Sequence, residues 1–350
     1  MSLIGAKRAL LGRSRGNLLA WDSFTRADGA IGRTEPRRSA RSQPWTGATW
    51  TISTNKAINT PAISTDRTVD GGLEANYTTG LCDTLGKNGS PTVAESADVH
   101  GGTKAQSFIG QAISNRILFT PAPSPAVGTW VLLTEWAKRT VTVGSSTSLA
   151  IWTGAAAERG PTITAAGYTK YAQATLIRGA SPDFGLARNY SAAPDDTVIV
   201  DDYTMGDLTL VDLFSSLSNN NRPSVLASVS FTMYATGVTP GGLVTNLDDA
   251  ATPANFLVTY HNGTNAVLEK CVGGTYTILI SEAATYGAGY VLQLQTDRDG
   301  ADLKANLTYN AAAVGTEQTI SDAGIIDNTI HGMFSTYEGN ALDNYTLSNV

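Results

Sequence analysis

The chain has 350 residues, room for one large or two ordinary domains, with 42% hydrophobic and only 15% charged residues. Its surface must therefore be rich in Thr, Ser, Asn and Gly, the palette of β-rich extracellular and virion proteins and not of a helical enzyme. The net charge of -6 argues against general nucleic-acid binding; the two cysteines, Cys82 and Cys271, lie far apart in sequence and read as buried free thiols ahead of a disulfide, and without a local cysteine or histidine partner they do not suggest zinc.

Residues 1–17 form an arm. It combines Leu3, Ile4, Leu10 and Leu11 with Lys7, Arg8, Arg13 and Arg15. Its apolar run is too short for a signal-peptide core, and no stretch elsewhere reaches the ~18 apolar residues of a membrane span. The expectation is synthesis in a host cytoplasm without a cleavable leader. The mixture of leucine and arginine points to docking on an acidic neighbour within an assembly, since opposite charges steer association.

From Leu18 the pattern alternates. LLAWDSFTRADGAIG places Trp21, Phe24 and Ile31 around an Asp28-Gly29 turn, and PWTGATWTISTNKAI continues with Trp50 and Ile52 on a further strand. Between Ile58 and Val225 lies far more chain than a connection needs. TWVLLTEWAKRTVTVG, SLAIWTG, YAQATLIRG and DTVIVDDYTM all read as strands, and LVDLFSSLS as a short helix with Asp207 near its start. The preferred organisation is one sandwich built from residues 18–71 and 217–350, with a second sandwich, residues 72–216, inserted in it. Two consecutive domains are the alternative.

The last third is the most legible. FLVTY, AVLEKCV, TYTILI, YVLQLQ, LKANLTYN and HGMFSTY are short, β-branched or aromatic runs separated by turn residues, among them Asn262-Gly263 and Asp299-Gly300. Runs of about five or six residues at this spacing predict antiparallel sandwiches, so the fold class is all-β. Asp297-Arg-Asp299-Gly-Ala-Asp302 reads as a hairpin turn, since its spacing departs from an EF-hand.

Glycosidases on such folds set carboxylates at alternate positions of one strand, and no Glu-x-Asp-x-x-Glu occurs. Glu95-Ser-Ala-Asp98-Val-His100 comes nearest and reads as a polar loop. There is no Gly-x-Ser-x-Gly elbow and no phosphate loop. His331 reads as a packing or turn residue. Sugar binding needs exposed aromatic platforms beside amides and carboxylates. Trp130, Trp136, Trp152, Tyr168 and Tyr171 are the candidates, with Tyr168 and Tyr171 favoured by their place beside a glycine-marked turn.

The stretches NLDDAATPANFLVTYHNGTNAVLEKCVGGTYT, YNAAAVGTEQTISDAGI and HGMFSTYEGNALDNYTL resemble the concanavalin A-like (laminin G-like) jelly-roll modules of tailed-phage structural and adsorption proteins. The opening DSFTRADGAIG is similar to the first strand of the same modules. The resemblance implies that Trp21–Phe24 lies beside Leu342–Tyr345. DTVIVDDYTM resembles the last strand of carbohydrate-binding jelly rolls, in which nearby aspartates can ligate calcium; Asp195, Asp196, Asp201 and Asp202 would do so here. No other cofactor is implied. The function implied is that of a non-enzymatic virion protein of the tail or adsorption apparatus. It would bind neighbouring virion proteins or host-surface glycans and form a homo-oligomer within the assembly. A capsid-surface decoration protein and a glycan-processing enzyme of the same fold are the alternatives.

Overall fold

The structure is a computed structural model that describes residues 18–36, 42–109, 115–140, 147–155, 157–188, 197–218 and 220–350. The expected docking arm (Leu3, Ile4, Lys7, Arg8, Leu10, Leu11, Arg13, Arg15) and two of the expected calcium ligands, Asp195 and Asp196, lie outside the described residues. Within them the regular elements are antiparallel strands, one short parallel pairing and one 3-10 turn, so the chain is an all-β protein. No helix among the described residues is long and apolar enough to cross a membrane.

The chain divides into two compact units. One takes the residues up to Ala62, then Leu210–Met233 and Pro240–Val350; the other takes Ile63–Thr209 and Tyr234–Thr239. The cuts fall at 62/63 and 209/210 rather than 71/72 and 216/217. Strand pairing explains this. Ile63–Asp66 pairs with Thr197–Leu208, whereas Phe214–Leu217 pairs with Ile330–Ser335. The LVDLF run that reads as a helix is one 3-10 turn, Leu210–Leu213, running straight into that strand. Asp207 caps nothing there, because its carboxylate is taken by Arg67 at 2.5 Å.

Among the described residues the first unit holds a nine-stranded and a six-stranded sheet. The hairpins legible in the sequence are present: Phe256–His261, Asn265–Val272 and Thr275–Ala283 follow one another in the six-stranded sheet, and Tyr290–Asp299 and Asp302–Tyr309 in the nine-stranded one. At the Asn262-Gly263 turn, the Asn262 side chain accepts the N–H groups of Thr264 and Asn265 at 3.1 and 2.8 Å, so the hairpin closes locally. The inward-facing Leu243, Leu257, Leu268 and Met333 of one sheet meet Val229, Phe231, Leu292 and Leu307 of the other. Each such side chain contributes about 1.5–3 kcal/mol of burial. Leu18–Asp22 pairs with Ala341–Asn349, Asp22 opposite Tyr345, so the first strand does lie beside the last. Phe24 falls just past that strand, at φ 53°, with its ring buried against Trp45.

The second unit holds a seven-stranded and a five-stranded sheet among the described residues, with a short Tyr77–Thr78 and Leu81–Cys82 pair beside them. The seven-stranded sheet runs Gly237–Val238, Thr169–Leu176, Trp130–Arg139, Thr197–Leu208, Ala105–Ile109 and Thr92–Ser96, with Ile63–Asp66 also on Thr197–Leu208. The five-stranded sheet runs Ala157–Thr162, Thr147–Trp152, Asp183–Arg188, Arg116–Phe119 and Leu85–Asn88. Its core includes Phe108, Phe119, Val131, Leu133, Leu149, Tyr171, Phe184, Leu186 and Tyr203. Cys82 and Cys271 are free and buried.

Candidate functional site

One end of the seven-stranded sheet gathers residues that the sequence scatters over more than a hundred positions. The strand Trp130–Arg139 is its base. Leu133 and Ala137 face the core, so the two-residue period turns Trp136 and Lys138 outward. Asp201 pairs directly across from Trp136. Between Thr134 and Trp136 the partner strand carries an extra residue, and Asp202 there adopts φ 46°. Such a bulge re-aims a side chain that regular pairing would bury. Here it lets two consecutive aspartates serve the same loop.

That loop is Asp98–Thr103. Asp201 is fully buried and accepts the backbone N–H groups of His100 and Gly101 at 2.8 and 3.1 Å. Asp202 meets His100 Nδ1 at 2.6 Å. On the far side Glu74 accepts Thr103 N at 2.7 Å, Thr103 Oγ1 at 2.6 Å and Lys104 N at 3.2 Å. Gly102 sits at φ 62°, where a side chain is strained, and a Cβ there would push the Glu74 carboxylate off the loop.

The loop lays the His100 ring flat on Trp136, with centroids 4.0 Å apart and planes 11° from parallel. Tyr168 stands edge-on to His100 at 5.6 Å. Its hydroxyl donates to the Asp98 carbonyl at 2.5 Å. Lys138 pairs with the Asp98 carboxylate and carries its Nζ 4.5 Å from the Tyr168 ring centre. The His100, Asp202 and Asp98 side chains remain 32%, 36% and 55% exposed. The result is a partly open aromatic surface rimmed by carboxylates.

Burial raises the Asp201 carboxyl above its ordinary value and Asp202 adds to the push, while the Gly101 and His100 N–H groups pull the other way. Hydrogen bonding from Thr103 holds Glu74 below its ordinary value. Burial, then Asp201 and its neighbours, pushes the Tyr168 hydroxyl up, so it remains a donor.

The sequence candidates divide. Tyr168, Asp201 and Asp202 belong to this cluster. Tyr171 and Trp130 do not, because they are 1% and 3% exposed and closed to a ligand. Tyr171 faces the core, and its hydroxyl accepts the N–H groups of Thr164 and Ala165. Trp152 lies on the outer face of the five-stranded sheet, beneath the Arg116 guanidinium. Both Asp201 oxygens accept backbone N–H groups, and one Asp202 oxygen meets His100 Nδ1. Among the described residues no group of three or more His, Cys, Asp or Glu side chains is arranged to hold a metal ion. Glu95 belongs to the edge strand Thr92–Ser96, and only Asp98 and His100 of that motif are in the loop. The sequence reads His100 only as part of a polar loop and does not single out Lys138. Their one local signal is His100-Gly101-Gly102, a turn able to approach carboxylates closely.

No protein-family profile matches the chain, and no curated protein does. Among solved structures it is similar to the tandem CBM22-1-CBM22-2 domain of Paenibacillus barcinonensis Xyn10C, at 9% identity and TM-score 0.35, covering 83% of this chain and 98% of that one. The CBM22-1 xylan-binding domain of the same protein is similar at 13% identity and TM-score 0.32, covering 43% of this chain and 97% of that one. Domains LG4-5 of the mouse laminin alpha1 chain are similar at 9% identity and TM-score 0.27, covering 75% and 92% respectively. These likenesses are too distant to speak for ligand or activity.

Proposed function

We propose that the protein is a non-enzymatic structural protein of a tailed-phage particle, associated with the tail or adsorption apparatus, that reads a host-surface glycan or a neighbouring virion protein. The observation that carries the binding role is the open surface of His100, Tyr168 and Trp136 rimmed by Asp98 and Asp202. Ring faces take the apolar face of a sugar, and carboxylates accept its hydroxyls. The non-enzymatic reading is supported by how these carboxylates are used. Asp201 and Glu74 hold the loop with backbone N–H groups, and Asp202 and Asp98 engage His100 and Lys138. The particle assignment rests on the sequence resemblance alone.

The test is a neutral-glycan array probed with the purified protein and with Trp136→Ala and His100→Ala. Binding to a defined glycan, weakened about tenfold by either change while the melt is retained, supports the role. Binding unchanged in both variants moves the site elsewhere. Release of reducing sugar from the bound glycan would overturn the non-enzymatic reading. Antibody labelling of native particles on the head rather than the tail would favour a decoration protein.

A further inference from the structure

The outer face of the five-stranded sheet in the second unit carries a different chemistry. Its middle strand, Asp183–Arg188, presents Gly185 and Ala187 to that face, and Ala150 lies opposite Gly185 on the next strand. Gly185 can carry no side chain, because a Cβ would collide with the Ile117 carbonyl. The small residues leave a notch. Arg116 and Leu118 border it on one side, and Trp152, directly opposite Asp183, borders it on the other.

Arg116 reaches across the notch and sets its guanidinium 4.0 Å from the centre of the Trp152 ring. Stacking satisfies the face of the guanidinium but not its N–H groups. Nη1 is buried and has no hydrogen-bond partner among the described residues. The nearest carboxylate, Asp183, is 3.8 Å from Nη1, beyond hydrogen-bond reach, and its side chain is 47% exposed. A buried donor left unpaired costs free energy that a bound acceptor would recover. Among the described residues the other charged side chain bordering this face is Arg159, which pairs across from Ala150 and donates to the Arg188 carbonyl. Among the described residues Arg116 and Arg159 outweigh Asp183, so their charges favour an anion.

We propose that this notch is a second binding site, for a sugar bearing a carboxylate. The carboxylate pairs with the Arg116 guanidinium, a charge-assisted contact that draws the side chain, 17% exposed without ligand, outward so that Nη1 gains a partner, while the ring packs on the Trp152 edge above the small-residue floor. This site is independent of the His100 surface, on the opposite sheet of the same unit. It differs from that surface in sign. There carboxylates rim the rings; here a guanidinium lies over one.

Calorimetric titration of the full chain with a galacturonic-acid trimer, a neutral galactose trimer and a tri-glutamate peptide tests it. The acid trimer binds at least about tenfold more tightly than the neutral one, and added salt narrows the gap. Arg116→Met keeps the stem over Trp152 but has no donor, and it levels the two sugars. Asp183→Asn removes a competing carboxylate and tightens the acid trimer several-fold without changing the neutral one. Trp136→Ala leaves acid-sugar binding intact, which separates this site from the one proposed above. Melting curves confirm that each variant is folded. Equal affinity for the two sugars overturns the proposal, as does an Arg116→Met protein that still prefers the acid. A peptide bound as tightly as the acid trimer, or acid binding lost in Trp136→Ala, overturns it as well.

Discussion

Replacing Glu135 by Gln should make the protein more stable, and increasingly so as pH rises. Glu135 sits between Leu133 and Ala137 on the core face of Trp130–Arg139, across from the buried Tyr171. Both its oxygens are buried and have no hydrogen-bond partner among the described residues. Burial alone pushes its carboxyl well above the ordinary 4.5. The folded chain therefore keeps a proton that the unfolded chain has already released. Below the ordinary value both states are protonated and Glu135 adds no pH dependence. Above it the unfolded state binds fewer protons, so stability falls at about 1.4 kcal/mol per pH unit until the folded carboxyl ionises. Even one unit inside that window removes a sizeable share of the roughly 5–15 kcal/mol typical of a domain. Glu135→Gln has nearly the same shape and cannot ionise. Urea unfolding of both proteins at pH 5, 6 and 7, followed by tryptophan fluorescence, reads the difference; Trp130, Trp136 and Trp152 all report on this unit. The variant's advantage should widen with each step, by at most about 1.4 kcal/mol per pH unit. An advantage that stays constant with pH would refute a neutral buried acid.

The other unit should behave in the opposite sense. His331 is buried, donates to the Arg222 carbonyl at 2.8 Å, accepts Asn246 N at 3.3 Å, and burial pushes its pKa down to about 4. Its contribution is present above the ordinary 6.5 and is lost as pH falls towards about 4, roughly 3 kcal/mol in all; His331→Gln should flatten that acid limb in urea titrations. Gly102→Ala should disorder the Asp98–Thr103 loop through its φ of 62° and the Glu74 collision, so amide exchange at His100 and Thr103 should rise. Unchanged exchange would mean that the loop is held by other contacts. Removing residues 1–16 should leave the melting temperature unchanged yet abolish incorporation into particles. Full occupancy by the truncated protein would move attachment to a sandwich face.

What the sequence determined is what short-range physics decides. The hairpins from Phe256 to Tyr309 were legible because alternation and turn chemistry act over a few residues. Asn262 closes its own turn with its own side chain. The strands Thr92–Ser96 and Leu85–Asn88 were not legible, because they are polar and are strands only by virtue of the neighbours they pair with. The ranking of the aromatic platforms holds for Tyr168, which joins the cluster, and fails for Tyr171, which is buried. Trp130 and Trp136 sit on the same strand, yet Trp130 is 3% exposed while Trp136 lies under His100 in a partly open cluster. Exposure depends on what the rest of the chain lays over each ring, and that has no local signature. The same holds for His100 with Asp202 and for Arg116 with Trp152. Each pair is distant in sequence and joined only by strand register, with a bulge at Asp202 in one case and a missing side chain at Gly185 in the other. Tertiary structure decided the sites because register and layering are properties of the whole sheet.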